Sequence, residues 1–197
     1  GTVLTREQLA AASAAARAAG LRIHLDGARL FNAVAASGTP AAGFAAEADT
    51  VMFCLSKGLG APVGSMLCAS AETIEAARTV RKRLGGGMRQ AGVIAAAARV
   101  ALRDRDRLAD DHACAGRLAG LLEERLPGAV VAPPQSNMVL VDGAQVPGGA
   151  GRFADALEAA GVLVGYIRPG VLRFCTHRDV DDDDVGRVGE VAAALGG

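Results

Sequence analysis

The sequence has no surplus of charge, with 21 Lys and Arg set against 21 Asp and Glu in 197 residues. That balance excludes the strongly basic surface that would hold a nucleic-acid backbone or an anionic membrane. No stretch reaches the roughly 18 uninterrupted apolar residues of a membrane span, and no basic segment followed by an apolar one opens the chain. The four cysteines, Cys54, Cys68, Cys114 and Cys175, are widely spaced, and three of them interrupt apolar segments. They read as buried, reduced thiols, which suits a cytoplasmic protein. His24, His112 and His177 lie far apart, with no Cys or Asp cluster at metal-ligand spacing, so no metal is expected. "GGGM" lacks the Lys-Ser/Thr of a P-loop and "GAPVGS" lacks the GxGxxG order, which leaves nucleotide binding with little support. No internal repeat is present.

What is there suffices for a core: 51% of the residues are hydrophobic. In "TREQLAAASAAARAAG", Thr5 and Gln8 have capping-box spacing and Gly20 marks the far end, which predicts a helix with both stops. "LRIHLD" reads as a strand, "GARLFNAVAASG" as a short helix or turn, and "DTVMFCLS" as a nearly continuous apolar strand. Apolar character without alternation predicts burial on both faces, as in a parallel sheet. "GSMLCAS" reads as a further strand. The middle of the chain reads as helices, broken at Gly85 to Met88 and loosened near "RDRDR". After Pro127, "AVVAPPQSNMVLVD" and "VLRFCTH" are strand-like around the helix of "GGAGRFADALEAAG". A last helix, Val185 to Leu195, follows the acidic run Asp181 to Asp184, whose carboxylates suit a helix start better than a calcium site. The class is α/β, divided into a large-domain portion at 1–105, a connecting helix at 106–126 and a small α+β domain at 127–197.

Within "FCLSKGLGAPVGS", Lys57 stands just past the C-terminal end of an expected central strand, where open α/β sheets place their ligands. A desolvated amine is costly unless paired, deprotonated or covalently used, so Lys57 is either a surface residue or a functional one. The glycines at 58, 60 and 64, with Pro62, allow a close backbone approach to a flat or charged ligand. Asp26 in "HLDGAR" is either a solvated turn aspartate or a partner of Lys57, since neighbouring parallel strands would deliver both to one sheet edge. A lysine and an aspartate so arranged suit pyridoxal phosphate: the amine forms a Schiff base with its aldehyde, and the carboxylate keeps its ring nitrogen protonated. Arg29 and Arg173 are available for a ring oxygen or a carboxylate, with surface ion pairs as the alternative. Ser56 suits either the cofactor phosphate or a strand-end cap.

The blocks "HLDGARLFNA", "DTVMFCLSKGLGAPVGS", "RKRLGGGMRQAG", "SNMVLVD" and "LRFCTHRDV" resemble, in that order, successive blocks of the low-specificity L-threonine aldolases. These are pyridoxal-phosphate enzymes of the aspartate-aminotransferase-like fold (fold type I). The resemblance implies the C-terminal part of such a large domain, a mostly parallel sheet with helices, plus a small α+β C-terminal domain. It implies that Lys57 is the catalytic, cofactor-bearing lysine, that Asp26 meets the ring nitrogen, and that Arg29 contacts the cofactor or the substrate. It further assigns Arg173 to the substrate α-carboxylate and Arg89 to the neighbourhood of the cofactor phosphate.

The reaction so implied is retro-aldol cleavage of threonine, allo-threonine or a similar β-hydroxy-α-amino acid to glycine and an aldehyde. A homodimer or homotetramer follows from the same resemblance. So does a long N-terminal portion ahead of Gly1, carrying the phosphate-binding loop and the ring-stacking histidine, so that the chain is expected to represent about the C-terminal half and to be poorly soluble alone. The alternatives are a β-eliminating lyase of related fold and an incomplete chain that retains packing and dimer surfaces.

Overall fold

A computed structural model describes residues 1–196. The chain forms two compact units, one of Leu4–Arg107 and one in which Gly1–Val3 joins the chain from Leu108 onward.

The first unit begins with α1 (Arg6–Ala18), which has the expected capping box: Gln8 N–H donates to Thr5 Oγ1, and Thr5 N–H donates to Gln8 Oε1. Strand β1 (His24–Asp26) leads into α2 (Leu30–Ser37) and the single-turn α3 (Ala41–Ala45), and the chain returns as β2 (Thr50–Cys54). This crossover permits a parallel pairing, in which His24, Leu25 and Asp26 face Thr50, Val51 and Met52. Leu9, Leu30, Phe44 and Val51 form one buried cluster of the unit. Phe31 and Phe53 meet edge to face, 5.3 Å between ring centres.

After a ten-residue loop the chain reverses into β3 (Ser65–Cys68), antiparallel to β2. The sheet order is β1-β2-β3, with one parallel and one antiparallel pairing. The double-sided burial expected of "DTVMFCLS" is not observed: Val51 alone is buried within β2, and all of β3 is exposed. In a three-stranded sheet, the apolar run has too little packed against its second face to cover it. The unit ends with α4 (Ala71–Arg83), capped by Ser70 Oγ, and α5 (Gly92–Arg103). "RDRDR" becomes a 3-10 turn, Arg105–Arg107.

In the second unit, α6 (Leu108–Arg125) is the helix expected as a connector at 106–126. It packs inside this unit instead, burying Cys114, Ala115, Leu118, Ala119 and Leu122 in its core. Next come β4 (Met138–Asp142), α7 (Gly149–Ala159), the edge strand β5 (Gly165–Arg168), β6 (Val171–Cys175) and α8 (Asp182–Gly196). The sheet is antiparallel with the order β4-β6-β5. Period-2 alternation sends Val139 and Val141 of β4, with Phe174 and Leu172 opposite them on β6, into a core shared with Phe153 and Leu157 of α7. Burial of each such side chain contributes about 2 kcal/mol.

Asn137 and Thr176 bracket the β4–β6 pairing from inside: Asn137 Nδ2 donates to the Thr176 carbonyl at 2.8 Å, and Thr176 Oγ1 to the Asp111 carbonyl at 2.6 Å. At the start of α8, Asp181 Oδ1 accepts from the N–H groups of Asp183 and Asp184, so the acidic run caps the helix as expected. One cysteine reading is corrected. Cys114 is buried, but Cys54 is half-buried and Cys68 and Cys175 are exposed, because β3 and the end of β6 lack a covering layer; all four are free thiols. Among the described residues no helix is long and apolar enough to cross a membrane.

Candidate active site

The parallel register places Asp26, the last residue of β1, beside Met52 of β2. At that point Gly27 N–H donates to the Met52 carbonyl at 2.8 Å, and the chain turns toward α2. A Cβ at position 27 would lie 2.8 Å from the same carbonyl oxygen, so only glycine allows this approach. Asp26 Oδ1 accepts from Ala28 N–H at 3.1 Å. The carboxylate thus closes its own turn with one oxygen and remains exposed at the sheet edge. Arg29, half-buried, occupies the N-cap position of α2.

Past the end of β2, residues 55–64 form a loop whose neck is closed by Gly64. Its carbonyl accepts from Leu55 N–H at 2.9 Å and from Ser56 N–H at 3.3 Å. Gly64 has φ 114°, outside the range comfortable for a side-chain-bearing residue. Within the loop, Gly60 N–H donates to the Lys57 carbonyl and Ala61 N–H to the Leu55 carbonyl. Leu55, Leu59 and Ala61 are at most 5% exposed, whereas Ser56 and Lys57 face solvent. The sequence suggests an amine at a buried strand end that carries a desolvation cost. The loop instead turns its leucines inward and its amine outward, so that cost is absent.

One contact in the loop was not foreseen. Arg107 Nη2 donates to the Gly58 carbonyl at 2.6 Å. In the sequence Arg107 belongs to the alternating charges of "RDRDR", and no local pattern separates it from Arg103 or Arg105, which pair with the aspartates beside them.

The fold therefore brings Asp26, Arg29, Ser56 and Lys57 to the C-terminal end of one parallel strand pair. Arg89 is exposed in the segment between α4 and α5. Arg173 belongs to the second unit, on β6 between Leu140 of β4 and Gly165 of β5. Alternation puts it on the sheet face opposite to Leu172 and Phe174. Its Nε is buried and has no hydrogen-bond partner among the described residues. A buried guanidinium N–H without a partner is costly, and a carboxylate would satisfy it. No group of three His, Cys, Asp or Glu among the described residues is arranged to hold a metal.

Residues 1–145 match the family described as beta-eliminating lyase. The chain belongs to that family. Among curated proteins, this beta-eliminating lyase family member is 43% identical over 171 residues to low-specificity L-threonine aldolase 1 of Arabidopsis thaliana, covering 84% of the chain and 47% of the relative. It is 39% identical over 189 residues to the low specificity L-threonine aldolase of Escherichia coli K12, covering 95% and 55% respectively. The chain spans about half the length of these relatives. Among solved structures, the threonine aldolase of Leishmania major superposes with a TM-score of 0.75 at 21% identity, over 100% of this chain and 58% of that one. That likeness establishes a shared fold.

Proposed function

We propose that the chain carries the catalytic lysine of a pyridoxal-phosphate-dependent lyase that cleaves threonine, allo-threonine or a related β-hydroxy-α-amino acid to glycine and an aldehyde. The observation that carries the proposal is the placement of Asp26 at the end of β1 and of Lys57 just past the end of β2, the adjacent parallel strand. The donor set fits the cofactor: a solvent-facing amine for its aldehyde, and a carboxylate with one oxygen held by Ala28 N–H and the other open to a protonated ring nitrogen. Similarity to the plant and bacterial threonine aldolases supports the same assignment.

In this reading Lys57 Nζ holds the cofactor covalently, and Asp26 keeps the proton on the ring nitrogen. Arg29 binds a ring oxygen or the substrate, while Ser56 and Arg89 serve the phosphate. Arg173, with its unsatisfied Nε, would bind the substrate α-carboxylate. Pyridoxal phosphate, when bound, supplies a sink for the electron pair left on Cα as the Cα–Cβ bond breaks. We infer a cytoplasmic homodimer or homotetramer; Leu84, Met88 and Val93, all at least 60% exposed around the 85–91 segment, support association between copies.

A second reading, β-elimination, is favoured by the family match itself. Incubation of the cofactor-loaded chain with threonine and serine separates the two. Glycine with acetaldehyde from threonine supports the aldolase; a 2-oxo acid with ammonia supports elimination. If the chain takes up no pyridoxal phosphate, both readings fall.

A further inference from the structure

We propose that Arg107 is a positioning residue for Lys57, holding the lysine's loop in place through the Gly58 carbonyl. This rests on the reading of Lys57 as the cofactor-bearing residue.

The backbone ties inside the loop, Leu55 and Ser56 to Gly64, Lys57 to Gly60 and Leu55 to Ala61, join residues 55–64 only to one another. They give the loop its shape without fixing it to the rest of the unit. Arg107 supplies a fixed point from 49 positions along the chain, in a partly buried, charge-assisted bond of 2.6 Å. The peptide groups on both sides of Gly58 are thereby held: the Lys57 carbonyl accepts from Gly60 N–H, and the Gly58 carbonyl from Arg107.

The tie matters because of what Lys57 is. Its side chain is exposed on a flexible four-carbon stem, so the reach of Nζ is only as well defined as the backbone beneath it. Leu55 and Leu59 anchor the underside of the loop, but apolar contacts are not directional and would tolerate a rocking loop. Gly58 has no side chain to resist rotation.

The test compares the unaltered chain with Arg107→Met and Arg107→Lys by residue-resolved amide hydrogen exchange, together with the pH midpoint of pyridoxal phosphate uptake followed by absorbance. In the unaltered chain the Gly60 and Ala61 amides should exchange more slowly than those of the exposed 87–91 segment. Arg107→Met should accelerate them about tenfold, leave the β2 amides unchanged and shift the uptake midpoint. Arg107→Lys, which keeps a donor, should recover most of both effects.

Unchanged loop exchange in Arg107→Met overturns the proposal whatever the cofactor does. Accelerated exchange in a chain that never takes up the cofactor supports the tether and removes the reading of Lys57 instead. Should Arg107→Met fail to melt cooperatively, the unaltered chain decides: Gly60 and Ala61 exchanging as fast as residues 87–91 also overturns the proposal, and clear protection supports it.

Discussion

Asp26 ends β1 directly opposite Met52, in parallel register with the strand that runs on into Lys57. A carboxylate and an amine that are far apart in sequence thus leave the same end of one strand pair. Parallel strands share the direction of their C-termini, so side chains following both strands meet on one edge whatever the crossover between them looks like. Gly27 makes the pairing continuous past Asp26 by donating to the Met52 carbonyl.

Replacing Lys57 by alanine should abolish covalent attachment of pyridoxal phosphate. The side chain is exposed, so the melting temperature should stay within the small range typical of surface substitutions. Borohydride treatment followed by mass measurement reads the result directly. A mass gain that persists in Lys57→Ala would place the attachment on another amine.

Gly27→Ala should destabilise the first unit by about 1–3 kcal/mol, because its Cβ would sit 2.8 Å from the Met52 carbonyl and 3.2 Å from Leu30 Cβ. Backbone on one side and a buried core leucine on the other leave little room to yield. Denaturant unfolding of the two chains measures the difference.

Arg173→Leu separates binding from folding. Removing a buried donor without a partner should leave stability unchanged or slightly raised. Under the proposed role it should also raise the substrate KM at least about tenfold, since a charged hydrogen bond contributes about 1.5–3 kcal/mol. Thermal melts and steady-state kinetics on the same preparation test both halves.

Phe153 is fully buried and stands 6.1 Å, ring centre to ring centre, from Phe174. Phe153→Ala should cost about 3–5 kcal/mol, enough to threaten folding of the second unit. Urea unfolding followed by circular dichroism would show the loss, and a shift below 1 kcal/mol would mean that the cavity refills.

Burial holds the pKa of His112 below its ordinary value, against a smaller opposing influence from Asp111. The unfolded chain therefore binds a proton more readily than the folded one, and stability rises with pH across that interval. His112 should favour folding fully above about pH 6.5, with that contribution lost as the pH falls through the lowered folded value. His112→Asn should flatten the dependence of melting temperature on pH below 6.5, leaving only the slope set by the carboxylates.

Local chemistry alone determined a good part of this protein. The Thr5–Gln8 capping box, the helix start at Asp181 to Asp184 and the strand through "TVMFC" are written in neighbouring residues or short spacings. Each depends on contacts within a few positions, where side-chain type decides the outcome. The tertiary structure decided the rest. Edge strand β5 has little burial to mark it in the sequence, and β3 turned antiparallel because the 55–64 loop reverses the chain. Lys57 faces solvent because Leu55 and Leu59 claim the inside of that loop. Helix α6 joined the second unit because its apolar stripe packs there, which its sequence alone cannot specify. Arg107 reaching Gly58 was legible nowhere in the sequence, since a guanidinium–carbonyl bond across 49 positions exists only once the fold has brought its ends together.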